Sequence, residues 1–193
     1  MRALILRDIF LCRQCDFDWL YKDGAKRVFP DAWEKFEGHI PEAERGDLMQ
    51  AYYERLTGND ELARMAAANH WSAWEGSCSK LRPSPEALAG FTKPHNALAL
   101  ARIEIHYFMN KGFIDENHIL DNMHLIRDIP ARIVHGRYDM VCPLDNALAL
   151  HKVWPASELH IVRESGHSAS EPGTVDALIR ATQDISKKLD ALS

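Results

Sequence analysis

"RIVHGRYDMVCP" (residues 132–143) is the stretch that decides the fold. Its β-branched pair Ile133-Val134 reads as the centre of a buried strand that stops at Gly136, and an acid, Asp139, follows on a turn closed by Pro143. Two other short apolar runs, "ALIL" (3–6) and "ELHIV" (158–162), are bounded by turn residues in the same way. Such runs suit parallel strands covered on both faces. Between the last two strands, "LDNALALHKVW" has helical spacing through Leu144, Leu148 and Val153 or Trp154, so this region reads as a βαβ unit. The C-terminal "TVDALIRATQDISKKLDAL" reads as a longer helix with Val175, Leu178, Ile179, Thr182, Ile185 and Leu189 in one stripe.

Residues 11–128 differ in character. They are rich in Trp, Tyr, Ala and His and read almost wholly as helices, for example "EAERGDLMQAYYERL", "DELARMAAANHWSAWEG" and "HNALALARIEIHYF". Breaks fall at Pro30, Pro41, Gly58-Asn59, "RPSP" (82–85) and "NKG" (110–112). The expected organisation is α/β, with a core strand in 1–10, an all-helical region in 11–128 and the rest of the core in 129–193. Three parallel strands neither cover their own edges nor bury both faces. The chain therefore reads as the second half of a larger α/β fold.

Composition excludes several function classes. With 46% apolar and 26% charged residues, the 193-residue chain is ordinary globular protein. A net charge of −5 argues against nucleic acid or an anionic membrane as partner, since either selects a basic surface. No apolar run approaches the roughly 18 residues that span a bilayer. "MRALILRDIF" carries no small-residue cleavage site and reads as a strand, not as a signal peptide. Cys12 and Cys15 form a C-x-x-C without a second pair at zinc-site spacing, so Cys12, Cys15, Cys78 and Cys142 read as free thiols of a cytoplasmic protein.

The chemistry starts at the strand ends. Open α/β sheets carry functional groups just past the C-terminal ends of their strands. Asp139 follows one such strand, and His167, in "RESGHSASEP", follows the next. Serine, acid, histidine is the chain order of a hydrolase triad, in which the acid orients the imidazole and the imidazole takes the nucleophile's proton. Taken singly, Asp139 is equally a turn or capping acid and His167 a plain loop residue. G-x-S-x-G is absent from the 193 residues. Gly166-His167-Ser168 leads to Ser170 where glycine is needed, and "GSCSK" (76–80) lies in a helical region.

The runs "LRDIF", "DGAKRVFPDAWE", "IPEAERGDLMQAYYERLTGND", "WSAWEG", "ALARIEIHYFMNKGF", "IPARIVHGRYDMVCP", "LHKVWP" and "SGHSASEP" cover nearly all of residues 1–190. In that order they resemble the C-terminal half to three-fifths of bacterial proline iminopeptidases, serine peptidases of the α/β-hydrolase fold. The resemblance implies a partial parallel sheet of that fold with an inserted all-helical cap. It implies Asp139 as triad acid, His167 as triad base, and Glu75 and Glu104 as the carboxylates that hold the substrate's N-terminal amine. It also implies Phe108 and Phe10 as walls of the proline-ring pocket and Cys142 as a thiol near the acid. The family's serine elbow and oxyanion loop precede "MRALILRDIF", so the expectation is a truncated form, inactive alone. Leu20 stands where the family often has an aromatic, and Asp8 replaces a glycine.

The expected substrate is a small peptide with N-terminal proline, and no metal or organic cofactor is implied. The sheet edge is expected to pair with a complementing N-terminal segment or a second copy. From the residues alone, Glu75 and Glu104 read first as ordinary helix acids and Cys142 as a packed small residue, and Phe10 and Phe108 are equally core packing. Two other readings stay open: another cap-bearing α/β-hydrolase, such as an esterase or epoxide hydrolase, and a non-catalytic remnant or interaction module.

Overall fold

The computed structural model describes residues 1–190; Ala191 and Leu192, the end of the expected C-terminal helix, lie outside the described residues. In chain order the main elements are β1 (Leu4–Arg7), α1 (Gln14–Asp18), α2 (Pro30–Gly38), α3 (Leu48–Thr57), α4 (Glu61–Cys78), α5 (Pro85–Phe91), α6 (Pro94–Met109), α7 (His118–Asp121), β2 (Ala131–Gly136), α8 (Leu144–Val153), β3 (Ser157–Val162) and α9 (Pro172–Asp190). They divide into two compact units. A sheet unit comprises Met1–Leu11, Ser79–Leu81 and the described residues from Asn117 onward; a helical unit comprises Cys12–Cys78 and Arg82–Glu116. No helix among the described residues is long and apolar enough to cross a membrane.

In the sheet unit the three strands lie in the order β1-β2-β3, and both pairings are parallel, as the apolar runs predict. Ile133 is the hub of the register, opposite Leu6 on one side and Leu159 on the other. Alternation along β2 sends Ala131 and Ile133 into a core with Ile9, Leu150 and Trp154, and Val134 into a second core with Val162, Ala177 and Ala181. The first core lies against α8 and the second against α9.

Both helices are where the spacing puts them, and part of each expected stripe is inward: Trp154 and Ile185 are buried, and Leu144 and Leu178 pack against the two cores. On α8 the buried apolar residues are Ala147 and Leu150, continued by Trp154, while Leu148 is 47% exposed and Val153 42% exposed. On α9 the buried residues are Thr174, Ala177, Ala181 and Ile185, while Val175 and Ile179 are exposed. A helix packs closest to a sheet through its smallest side chains, so alanines share the contact with Leu150, Trp154 and Ile185 while some neighbouring large residues are turned outward. A reading weighted by large apolar residues misses that.

The helical unit is built on aromatics and alanines. Ala67 and Ala68 of α4, with Ala97 and Ala101 of α6, are almost fully buried, and Ser72 Oγ donates to the Ala97 carbonyl at 3.3 Å. Around this contact Tyr21 stacks on Trp71 with centroids 4.4 Å apart, and Phe36 on Tyr52 at 4.5 Å. The polar tips are satisfied: Tyr52 Oη donates to the Phe36 carbonyl at 2.8 Å and Trp74 Nε1 to the Leu20 carbonyl at 3.1 Å.

The α8 assignment has a direct test. Leu150→Ala should destabilise the protein by about 2–5 kcal/mol, and Leu148→Ala should stay within about 0.5 kcal/mol of wild type, in urea unfolding. Equal effects would mean the face is misassigned.

Candidate active site

Gly136 ends β2 against the loop that carries His167. A Cβ at Gly136 would collide with the Gly166 carbonyl oxygen, so only glycine lets the two backbones meet. Beyond it the loops are joined main chain to main chain: Arg137 N–H donates to Val162 O, and Tyr138 N–H to Ser165 O, both at 2.9 Å. Asp139 Oδ1 accepts the N–H groups of Val141 at 3.0 Å and Cys142 at 2.8 Å, an Asx-type turn. The same carboxylate takes His167 Nδ1 at 3.0 Å on Oδ2 and 3.2 Å on Oδ1. The turn acid and the histidine's partner are therefore one residue.

This bond fixes the imidazole. Nδ1–H donates to Asp139, which leaves Nε2 as the proton acceptor. Burial works against the charged ring, but the Asp139 hydrogen bond and the charges of Asp139 and Asp8 outweigh it, and the His167 pKa lies above the ordinary 6.5.

Two supporting residues were not singled out by sequence reasoning. His135, fully buried on β2, accepts the Ile9 N–H on Nδ1 at 3.2 Å, so its proton sits on Nε2 and is donated to the Cys142 carbonyl at 2.8 Å. It joins the end of β1 to the Asp139 turn. Glu171 accepts Ser165 Oγ–H and Gly166 N–H, each at 2.9 Å, and Leu81 N–H at 2.7 Å. Ser168 N–H adds a bond to Ser79 O at 2.8 Å, so the His167 loop is tied to residues 79–81. Pro172 at the start of α9 marks Glu171 as a helix-entry acid, which was the one local signal available.

Cys142, the thiol expected near the acid, is buried and contributes through its backbone: its N–H to Asp139 and its carbonyl to His135. Phe10 lies in the sheet unit, half-buried just after β1.

The helical unit brings the two expected glutamates together. Glu75 on α4 is buried, and Glu104 on α6 accepts Trp71 Nε1–H at 2.8 Å. Burial, then the charge of Glu104 and a hydrogen bond with it, raise the Glu75 pKa well above the ordinary carboxylate value of 4.5. Glu75 therefore keeps its proton where an exposed glutamate has lost it. Phe108, also on α6, packs on Phe17 at 5.2 Å and Tyr21 at 5.7 Å, and lines a cavity of about 490 Å³ with Phe17, Tyr21 and Trp33. Glu75 and Glu104 are not among the residues lining that cavity. Leu20 is buried rather than lining it.

Two outcomes are expected. Gly136→Ala should cost about 1–3 kcal/mol in urea unfolding and displace the His167 resonances, since a close backbone contact has to open. For Glu75, the native state holds a proton that the unfolded chain loses near pH 4.5, so stability falls as pH rises from there toward the native pKa. Glu75→Gln removes that loss. Its stability relative to wild type should climb with pH over this window, by at most about 1.4 kcal/mol per pH unit, in thermal unfolding series run from pH 4 to 8.

No family model matches the chain. Similarity to curated proteins is extensive. A proline iminopeptidase of Xanthomonas citri is 54% identical over 180 residues, 93% of this chain and 58% of the relative. One of Xylella fastidiosa (strain 9a5c) is 51% identical with the same coverage of both chains. One of Arabidopsis thaliana is 48% identical over 94% of this chain and 48% of its own length. The chain thus spans a little under three-fifths of the length of the two bacterial relatives and about half of the plant one. Over the segment it shares with them, the chain is similar to these proline iminopeptidases.

Proposed function

We propose that this chain carries the acid–base pair and the amine-recognising carboxylates of a prolyl aminopeptidase-like serine hydrolase, as the C-terminal part of an α/β-hydrolase fold whose inserted cap is the helical unit. The Asp139–His167 pair would serve any hydrolase of this type. The observation that carries the narrower reading is the Glu75–Glu104 pair, a buried carboxyl group hydrogen-bonded to a second one, which favours the protonated form of Glu75. A protonated N-terminal proline is a secondary ammonium with two N–H donors, one for each carboxyl group. Its charge would relieve the repulsion between the glutamates, and Glu75 would release its proton on binding.

In this mechanism a serine from a segment outside the 193 residues attacks the carbonyl carbon of the N-terminal prolyl residue. His167 Nε2 takes the serine proton and returns it to the departing amine, and water then repeats the sequence on the acyl-enzyme. Asp139 holds the ring and stabilises the imidazolium. Phe108 and Phe10 would pack on the pyrrolidine ring.

The test is hydrolysis of proline 4-nitroanilide by the 193-residue chain, alone and with the N-terminal part of the Xanthomonas citri relative that it does not span. The chain alone should be inactive and the complemented protein active, with activity lost in His167→Ala. Glu104→Gln, which keeps an acceptor for Trp71, should raise KM at least about tenfold, the scale of one charge-assisted hydrogen bond. Complemented protein that cleaves simple esters but not prolyl anilide, and ignores Glu104→Gln, would sink the aminopeptidase reading.

A further inference from the structure

Asp8 has no place in the mechanism above, yet it sits among its groups. It follows β1, its side chain is 3% exposed, and its Oδ1 is buried without a hydrogen-bond partner among the described residues. Oδ2 pairs with Arg7. A carboxylate oxygen of Asp8, one of Asp139 and a ring nitrogen of His167 all lie within 4.8 Å of one another. Two acids from the ends of neighbouring strands thus face one imidazole. The turn itself does not ask for an acid: Asp8 has φ 48°, in the left-handed region that glycine adopts at lower cost. Burying a carboxylate oxygen without a donor is unfavourable unless a positive charge stands close by.

We propose that Asp8 is a second carboxylate partner of His167, a positioning residue that shares with Asp139 the stabilisation of the charged imidazole. Its part in turnover rests on the reading of His167 as the base. The donors around the cluster favour a proton over a metal ion at its centre. Asp139 Oδ1 is already occupied by the Val141 and Cys142 N–H groups, and the Arg7 guanidinium, bound to Asp8, would repel a cation.

The charged and titratable groups facing His167 are Asp139 from the turn after β2, and Asp8 and Arg7 from the end of β1. His135, 3.6 Å from Asp139 on β2, has its proton committed to the Cys142 carbonyl. The two acids raise the affinity of His167 for its proton and Arg7 lowers it. The two residues at the end of β1 carry opposite charge, so replacing each should move His167 in opposite directions, an outcome that a backbone role for either does not predict.

The experiment is an NMR titration of His167 in the 193-residue chain. Asp8→Asn keeps the size and the tolerance of left-handed backbone, and should lower the midpoint by about one pH unit. Arg7→Gln should raise it, and the double variant should fall between the two. A folded Asp8→Asn protein with the wild-type midpoint overturns the proposal. Should Asp8→Asn fail to fold, Arg7→Gln decides: a rise supports the charge cluster, and an unchanged midpoint overturns it. The titration needs no turnover, so absent prolyl anilide hydrolysis would reject the aminopeptidase reading without touching this result.

Discussion

Asp139 is 2% exposed, and its carboxylate nevertheless meets three N–H donors: two from its own turn and one from His167. A desolvated anion is tolerated only where such donors are already in place. The surroundings of this group serve that requirement. Gly136 lets the His167 loop approach, His135 braces the turn from β1 through the Cys142 carbonyl, and Glu171 gathers the loop's own donors. The turn after β2 and the loop of His167 are organised around the placement of the Asp139 carboxylate.

The helical unit handles buried acid in the opposite way. Glu75 is nearly as buried as Asp139, but it faces another carboxyl group and retains its proton. Donor-rich surroundings stabilise a fixed anion, whereas paired acids in a poorly solvated place hold a proton that an arriving cation can displace. In the proposed mechanism the two arrangements do different work: Asp139 orients a ring, and the glutamate pair responds to the charge of the substrate amine. Asp8 adds an intermediate case, with one oxygen matched to Arg7 and the other left to the field of His167.

Close packing in both units is carried by small residues. Alanines are buried on α4 and α6, and alanines on α8 and α9 join the cores on either side of the sheet. Larger apolar side chains flank these contacts, and several, such as Leu148 and Ile179, face outward. The unit boundaries follow contacts rather than chain order, since Ser79–Leu81 leaves the helices on either side of it to join the sheet unit through Ser168 and Glu171.

Short-range pattern was enough to read the three strands, their parallel pairing, the βαβ unit and the positions of Asp139 and His167, because strand alternation, turn glycines and helical spacing are local properties of the chain. Glu75 and Glu104 were legible only through resemblance to known relatives, since a charged residue on a helix face has no local mark of its partner. The helix faces were read in part: Trp154 and Ile185 are buried as expected, but the alanines beside them were missed and Leu148 and Ile179 are exposed, because burial also favours the small side chain that allows close approach. The partners of His135 and Glu171 and the neighbours of Asp8 were decided by tertiary structure. Ile9 meets His135 across 126 residues of chain and Leu81 meets Glu171 across 90, and the energy of a buried polar group depends on which distant donors the fold brings to it.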